Sequence, residues 1–236
     1  MSFQINKYRD QHLLVVAIDG PSGSGKSTVA KRVAKLLALP HVDTGAMYRA
    51  LTLKALRTGT DVNDGIALVA MVDNTAVEFT ADGRTLLDGE DVSKAIRTPE
   101  VTANVSPVSA HPAVRERMVK IQRTAGKEGA VLEGRDTGTV VFPDARLKVF
   151  LLADEKVRAE RRQIDLRKQG IEKNVEEVIL ELRRRDKYDS ERDASPLRCA
   201  RDAKKLDSTG LSIEQVVEKI VGWARERGFT EAWTTI

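Results

Sequence analysis

The sequence predicts an α/β fold with three layers, in which helices cover a central parallel sheet. One observation is that short apolar runs, typical of buried strands, alternate along the chain with amphipathic helical patterns. Another is that the first run, residues 13–18 (LLVVAI), ends at Asp19-Gly20 and is followed directly by a helical pattern. The third is the composition of the 236 residues: with 41% hydrophobic and 31% charged side chains, the chain is globular.

The first helix is indicated by apolar residues that recur on one face, namely Val29, Val33, Leu36 and Leu37. Pro40 is expected to end this helix. A second helical pattern covers about residues 46–56. This order places the glycine-rich residues 20–25 directly between a strand and a helix.

A small antiparallel insert is predicted around residues 77–89. Asp82-Gly83 and Asp88-Gly89 are signals of tight hairpin turns, and the residues around them suit two or three short strands. Because strands joined by tight hairpins are antiparallel, this segment is expected to be an insert, at about residues 60–110, on a mainly parallel body.

The α/β pattern then resumes. Two helical patterns, two buried strands and a last short strand are predicted at about residues 100–109, 113–127, 130–132, 147–152 and 204–206. A capping box, Ser212-x-x-Gln215, opens a closing helix whose apolar residues include Ile213, Val216, Val217, Ile220 and Trp223.

Residues 154–192 are unusually charged, with 12 Lys or Arg and 11 Asp or Glu. An apolar stripe at helical spacing persists among them, formed by Val175, Val178, Ile179 and Leu182. Two solvated helices are therefore predicted here. Because the charges nearly balance, the segment is a poor surface for nucleic acid.

Composition excludes several classes of protein. The longest apolar run, Ile66 to Val72, has seven residues, whereas a membrane span needs about 20. Residues 1–12 are polar, so no secretory signal is expected, and the single cysteine, Cys199, fits a cytoplasmic protein. The net charge of +4 suits anionic partners, but 4% aromatic residues leave few platforms for stacking nucleic-acid bases.

Residues 20–27 (GPSGSGKS) fit the phosphate-binding pattern G-x-x-x-x-G-K-[ST] in its proper context, between a strand and a helix. The glycines let successive backbone N–H groups face one anion, and the helix adds its positive end. Lys26 can bridge the β- and γ-phosphates, and the Ser27 hydroxyl can bind Mg²⁺. The motif therefore predicts a site for a nucleoside triphosphate with Mg²⁺.

The phosphate loop alone leaves the reaction open, because several classes of protein share it. The sequence lacks the guanine-reading pattern Asn-Lys-x-Asp of GTPases, since its one Asn-Lys pair, Asn6-Lys7, is followed by Tyr8-Arg9. A P-loop ATPase or GTP switch that binds nucleic acid or a protein is the alternative from another class. The few aromatic residues and the balanced charge of residues 154–192 argue against it.

Two further segments indicate a second substrate. Residues 43–49 (DTGAMYR) follow the first helix, and residues 133–139 (EGRDTGT) follow a predicted strand. Ligands of open α/β sheets bind beyond the carboxyl ends of the strands, where both segments are expected to lie. Arg49 and Arg135 each suit a surface ion pair when taken singly. Together at one sheet edge they favour a binding site for an anionic acceptor.

The chain resembles the bacterial cytidylate kinase family of nucleoside monophosphate kinases. The resemblance lies in the stretches IDGPSGSGKST, DTGAMYRA, GEDVSKAIRTPEV, EGRDTGTVVFPDA, RRRDKYDSERDASPL and LDSTGLSIEQV, in the family's order and similar spacing. It covers roughly residues 13–225. The reaction that it implies is ATP + CMP ⇌ ADP + CDP, with dCMP as a second acceptor. Another small acceptor, such as UMP, is the alternative within the same class.

The resemblance also implies roles for individual residues. ATP would be bound by Gly20, Pro21, Ser22, Gly23, Ser24, Gly25, Lys26, Ser27 and Thr28, with Mg²⁺ at Ser27 through the nucleotide. CMP would be bound by Thr44, Arg49, Ser106, Arg115, Arg135, Asp136, Arg185, Asp189 and Arg192. Lys26, Arg135 and Arg192 would be catalytic, and Arg158 and Arg162 would belong to a lid that covers ATP.

Chemistry supports these residue types. Asp136 can accept a hydrogen bond from the cytosine N4 amine, while Arg115 and Ser106 suit the cytosine acceptors. Asp189 would read the ribose; the competing interpretation is a plain surface ion pair with Arg185, four residues earlier. If the helix continued through residue 192, Arg185, Asp189 and Arg192 would lie near one face. Several members of the family have Asp where this chain has Glu133.

The expected organisation is an N-terminal extension at residues 1–12 and a P-loop kinase domain at residues 13–236. Within the domain, residues 60–110 would form the insert that binds the monophosphate, and residues 154–192 would form the lid. We expect a cytoplasmic monomer whose partners are ATP, CMP and dCMP, without nucleic acid or membrane.

Overall fold

The computed structural model describes residues 14–80 and 82–230. Its strands are β1 (Val15–Asp19), β2 (His41–Asp43), β3 (Val77–Phe79), β4 (Thr85–Leu87), β5 (Glu90–Asp91), β6 (Ala130–Gly134), β7 (Leu147–Leu152) and β8 (Lys204–Asp207). Its helices are α1 (Lys26–Leu36), α2 (Thr44–Thr58), α3 (Gly65–Asp73), α4 (Pro99–Ala110), α5 (Pro112–Gly126), α6 (Glu155–Arg167), α7 (Val175–Glu191) and α8 (Ile213–Glu226). Short turns of 3₁₀ and π type lie at Ala95–Arg97 and Thr137–Val141. The expected N-terminal extension, residues 1–12, lies outside the described residues.

Five strands form one parallel sheet in the order β2-β6-β1-β7-β8. The central strand β1 pairs with β6 and β7, so that Asp19 lies opposite Gly134 and Phe150. The carboxyl ends of β1, β2 and β6 therefore meet at one edge of the sheet. The predicted parallel sheet is confirmed.

Both faces of the sheet are covered. Val15 and Ala17 of β1 pack in one apolar core with α2, α3, α4 and α5, whereas Val16 and Ile18 pack in a second core with α1 and α8. A strand covered on both faces needs apolar residues at every position, which explains why the run at residues 13–18 shows no alternation. The three predicted layers follow from these two cores.

The predicted apolar face of α1 is partly wrong. Val29 and Val33 are buried, but Leu36 is 44% exposed. The helix ends at Leu36, and Leu37, outside it, is buried again. Ala38 then adopts a left-handed backbone with φ of +50°, which ends the helix before the proline that was expected to do so.

The antiparallel insert is confirmed as a separate three-stranded sheet in the order β3-β4-β5. Leu87 and Ile96 pack against Ala50 and Leu53 of α2 in a small apolar cluster. Met47, on another face of α2, lies in the main core. Helix α2 therefore carries the insert on the body of the protein.

Helices α6 and α7 form the helical pair that residues 154–192 were predicted to contain. Ala159, Leu166, Val178 and Leu182 form an apolar core between them, and the ion pairs Arg158–Asp186 and Arg183–Glu155 join the two helices as well. The first turn of α6 begins three residues after the last residue of β7, so the base of the pair lies at the carboxyl edge of the sheet. The capping box at the start of α8 is also confirmed.

Sequence patterns missed two elements. Strand β2 has only three residues, too few to show a period. Helix α3 contains the longest apolar run of the sequence, of which Leu68 and Val72 are buried while Ile66 is 87% exposed. Among the described residues, no helix is long and apolar enough to cross a membrane.

Replacing Gly20 should destabilise the fold, because a Cβ at this position would lie 2.2 Å from the Leu151 carbonyl oxygen of β7. The backbone there has φ of +151°, which side chains rarely adopt. We expect Gly20→Ala to lower the free energy of unfolding by about 1–3 kcal/mol in urea titrations. Gly210→Ala is the control, since its Cβ would meet nothing within 4 Å. Equal stability of the two variants would contradict the close contact between Gly20 and β7.

Candidate active site

The phosphate loop, residues 20–25, joins the carboxyl end of β1 to the N-terminus of α1. Gly23 and Gly25 adopt left-handed backbone angles, with φ of +76° and +92°, and Gly25 directly precedes the helix. Lys26 Nζ donates to the Pro21 carbonyl at 2.6 Å and to Ser24 Oγ at 3.3 Å. The lysine is thus folded back over its own loop, and oxygens of that loop hold its ammonium group.

The charge of Lys26 lacks a carboxylate within ion-pair distance among the described residues. Its side chain is buried, and burial followed by the nearby Arg135 lowers the pKa of Lys26 well below its ordinary value. Glu133, Asp186 and Asp19 act in the opposite direction without cancelling this effect. A bound phosphate would supply the missing negative charge.

Ser27 is connected to two residues of neighbouring strands. Its hydroxyl donates to Glu133 Oε2 at 2.7 Å, and Glu133 Oε1 lies 3.1 Å from His41 Nε2. The hydroxyl and the carboxylate are oxygen ligands of the kind that Mg²⁺ prefers. Among the described residues, no group of three or more His, Cys, Asp and Glu side chains could hold a metal by itself. A Mg²⁺ ion at Ser27 would therefore need oxygens from the nucleotide.

Arg135 lies between the phosphate loop and α7. Its Nε donates to Asp189 Oδ2 at 2.9 Å, and its second terminal nitrogen donates to Ser22 Oγ at 2.7 Å. Burial would raise the pKa of Asp189, but Arg135, Arg185 and Arg192 outweigh it and hold this pKa below the usual value. Asp189 is 4% exposed and lies within ion-pair distance of Arg135 and Arg192, so the surface ion pair with Arg185 that competed as an interpretation is wrong.

A second buried ion pair lies deeper in the site. Arg115 of α5 donates to Asp136 Oδ2 at 2.5 Å and to the Ser109 carbonyl at 2.9 Å. The Arg115 guanidinium also lies over the ring of Tyr48, 5.2 Å from its centroid. Burial raises the pKa of Tyr48 to about 12, so its hydroxyl stays protonated. Asp136 keeps Oδ1 free of any hydrogen bond among the described residues, with Arg192 at 3.9 Å.

These groups line one cavity beside the phosphate loop. Of the nine predicted acceptor residues, eight line it: Thr44, Ser106, Arg115, Arg135, Asp136, Arg185, Asp189 and Arg192. Arg49 stands apart, because one of its terminal nitrogens donates to the Ile96 carbonyl and to Thr102 Oγ1. Helix α7 ends at Glu191, so the condition under which Arg185, Asp189 and Arg192 would share one helix face is not met at Arg192. The Arg192 guanidinium nevertheless reaches the cavity from the helix end.

Arg185 is another cation of the cavity lining. Its Nε is fully buried without a hydrogen-bond partner among the described residues. Burial, followed by repulsion from Arg135, lowers the pKa of Arg185 to about 10. Burial and Arg185 likewise lower the pKa of Arg49 well below its ordinary value. Burial also lowers the pKa of Arg162, one of the two predicted lid arginines.

The sequence patterns did not single out Asp19, Arg161 and Asp186. These residues contact the phosphate loop or the turn after Asp136, although they lie far from them in the chain. Asp19 accepts hydrogen bonds from the backbone N–H groups of Thr137 and Gly138, at 2.9 and 2.7 Å, and so holds the turn that follows Asp136. Arg161 reaches the loop at the Ser24 carbonyl, 3.5 Å away. Asp186 accepts a hydrogen bond from the Ser22 backbone N–H of the loop. These contacts join residues far apart in the chain, and no local pattern marks them.

The family model for cytidylate kinase matches residues 16–226. The chain belongs to the cytidylate kinase family. The match includes the phosphate loop, the cavity and the helical pair.

Similar curated proteins include cytidylate kinases from Bacillus thuringiensis (strain Al Hakam) and Bacillus cereus (strain AH187). Each is 50% identical to this chain over 211 residues, which cover 88% of this chain and 94% of the relative. Among solved structures, a shikimate kinase from Acinetobacter baumannii is 16% identical and covers 94% of this chain and 98% of its own, with a TM-score of 0.47. The identity with the Bacillus cytidylate kinases extends over nearly their whole length.

Removing the charge of Arg185 should stabilise the folded protein. A base whose pKa is lowered by folding binds its proton less strongly in the folded state, so its charged form opposes folding at neutral pH. We expect Arg185→Met to raise the free energy of unfolding by about 1 kcal/mol, because the side chain is only partly buried. The control is Arg183→Met, which removes an exposed partner of Glu155 and should change stability by less than about 0.5 kcal/mol. A clear loss of stability in Arg185→Met alone would mean that its charge is already satisfied.

Proposed function

We propose that this protein transfers the γ-phosphoryl group of ATP to CMP or dCMP, giving ADP and CDP or dCDP. Membership of the cytidylate kinase family supports this activity. The observation that carries the proposal is the hydrogen bond between Arg135 and Ser22, which joins the phosphate loop to the acceptor cavity. Donor and acceptor phosphates would meet at this contact, each beside cations that lack an anionic partner.

The donor nucleotide would occupy the loop of residues 20–28. Backbone N–H groups of the loop and the N-terminus of α1 would face the phosphates, and Lys26 would turn from its own loop toward the transferring group. Ser27 would hold Mg²⁺ together with phosphate oxygens, near Glu133. When bound, the ion neutralises negative charge on the β- and γ-phosphates.

The acceptor would occupy the cavity with its base toward the buried pair of Arg115 and Asp136. The free Oδ1 of Asp136 would accept a hydrogen bond from the cytosine N4 amine, and Ser106 would contribute a hydroxyl. The phosphate would lie at the opposite end among the cations. We assign this end to Thr44, Arg49, Arg135, Arg185 and Arg192, with Asp189 at the ribose.

Transfer needs no general base, because the attacking phosphate oxygen is already anionic. The bond from the γ-phosphorus to the β-phosphate oxygen breaks, a bond to the CMP phosphate oxygen forms, and ADP leaves. Lys26, Arg135 and Arg192 would neutralise charge on the groups that approach each other. We also assign acceptor binding to the insert at residues 60–110, and covering of ATP to the lid at residues 154–192 with Arg158 and Arg162.

The acceptor preference is the direct test of this function. Purified protein is given ATP and Mg²⁺ with CMP, dCMP, UMP or AMP in separate reactions, and ADP formation is measured. We expect CMP and dCMP to be phosphorylated far faster than UMP or AMP, because the Asp136 carboxylate would favour the N4 amine, which uracil lacks. Faster turnover of UMP or AMP would contradict the assignment of the base site, and hydrolysis of ATP without any acceptor requirement would contradict the kinase activity.

Replacing Asp189 should discriminate between the two sugars. If this carboxylate accepts a hydrogen bond from the 2′-hydroxyl, Asp189→Ala should reduce kcat/KM for CMP more than for dCMP, which lacks that hydroxyl. A lost charge-assisted hydrogen bond costs about 1.5–3 kcal/mol, or roughly 10- to 150-fold in the ratio of the two values. The substitution also removes the partner of Arg135. Any loss of activity from that change affects CMP and dCMP alike, so it cancels in the ratio of the two kcat/KM values.

Asp165→Ala serves as the control for the Asp189 measurement, because Asp165 lies exposed on α6 near Lys168. Both acceptors should retain their wild-type kcat/KM in this variant. Equal losses on CMP and dCMP in Asp189→Ala would mean that Asp189 only orients arginines.

A further inference from the structure

Ser22 of the phosphate loop is held through all three of its polar groups. Its backbone N–H donates to Asp186 Oδ1 at 2.8 Å, and its carbonyl accepts from Arg158 at 2.9 Å. Its hydroxyl accepts from Arg135 at 2.7 Å. Since Asp186 lies on α7, Arg158 on α6 and Arg135 after β6, one loop residue joins both helices of the pair to the acceptor cavity.

The second oxygen of Asp186 accepts a hydrogen bond from the same Arg158 guanidinium. The side chains of Arg158 and Asp186 are only 10% and 17% exposed. A charge-assisted bond that is largely shielded from water is stronger than an ion pair in solvent. The Asp186 carboxylate therefore binds the Ser22 backbone N–H and also Arg158, which itself donates to the Ser22 carbonyl.

Helix α6 lies directly against the phosphate loop, whereas α7 packs on α6 and reaches the loop through polar side chains. A Cβ on Gly23 would approach the Arg158 carbonyl oxygen to 3.0 Å, so the backbone of α6 already lies against the loop. Helix α7 reaches the loop and β6 through Asp186 and Asp189, three residues apart. At about 1.5 Å per residue, two such anchors set both the rotation and the axial position of the helix.

We propose that Asp186 is a positioning residue for phosphoryl transfer. By fastening α7 to the Ser22 backbone, it aligns Arg185 and Asp189 with Arg135 and with the donor phosphates. Asp186 does not line the acceptor cavity and acts only through the loop and the helix. This inference rests on the proposed kinase function.

The loss of this contact should affect the transfer step more than acceptor binding. Misplacement by about 1 Å can reduce a rate by on the order of 100-fold. We expect Asp186→Ala to reduce kcat at least tenfold while KM for CMP rises by a smaller factor, because the base site at Arg115 and Asp136 is untouched even though the α7 contacts to the acceptor loosen. Water should also enter more easily beside the loop, so acceptor-free ATP hydrolysis should increase relative to transfer.

The experiment compares Asp186→Ala, Asp186→Asn and Glu155→Gln with the wild type. Glu155 pairs with Arg183 across the same two helices but does not touch the loop, so it is the matched control. The Asn variant keeps an oxygen for the Ser22 N–H and should recover part of kcat. Hydrogen exchange of residues 20–28, measured without substrate, should be faster in the Ala variant and unchanged in Glu155→Gln.

The outcomes separate this inference from the proposed function. A wild type that does not phosphorylate CMP contradicts the function, while the exchange measurement still tests the contact between Asp186 and the loop. An active wild type with kcat in Asp186→Ala within twofold of Glu155→Gln overturns the inference. It is also overturned if hydrolysis and transfer fall by the same factor, or if exchange in the loop is unchanged.

Discussion

At the carboxyl edge of the sheet, the basic side chains carry more positive charge than the nearby carboxylates neutralise. The pKa values of the basic groups are lowered by burial and by one another at Lys26, Arg49, Arg162, Arg185 and Arg192. The two acids of the cavity, Asp136 and Asp189, are already paired with arginines. This excess of buried positive charge supports the proposal that these cations bind the phosphates of the two nucleotides.

Parallel pairing is what makes this concentration of charge possible. The strands β1, β2 and β6 end side by side, and each is followed at once by a loop or helix that carries part of the site. Cations that repel one another would not remain together on a mobile chain. Here the apolar cores on both faces of β1 stabilise the sheet, and burial of each large aliphatic side chain contributes about 1.5–3 kcal/mol.

The insert and the helical pair are held less by apolar packing than the sheet is. The core shared by α6 and α7 contains four buried residues, and the insert rests on one face of α2. The contacts of Ser22 and Arg135 add polar links between the helical pair and the phosphate loop. Elements with little apolar burial open at lower free energy than a core, which is consistent with the proposed roles of the insert and the lid.

The sequence by itself determined the parallel α/β fold, the phosphate loop and the antiparallel insert, because strand runs, hairpin turns and the glycine-rich loop are local patterns. Motif stretches also indicated the family and most residues that line the cavity. Tertiary structure alone decided how these residues pair. Arg135 binds Asp189 rather than leaving it to Arg185, and Asp186 binds a backbone group 164 residues away in the chain. Such pairings depend on which elements the sheet brings together. The periodic pattern within one element contains no information about them.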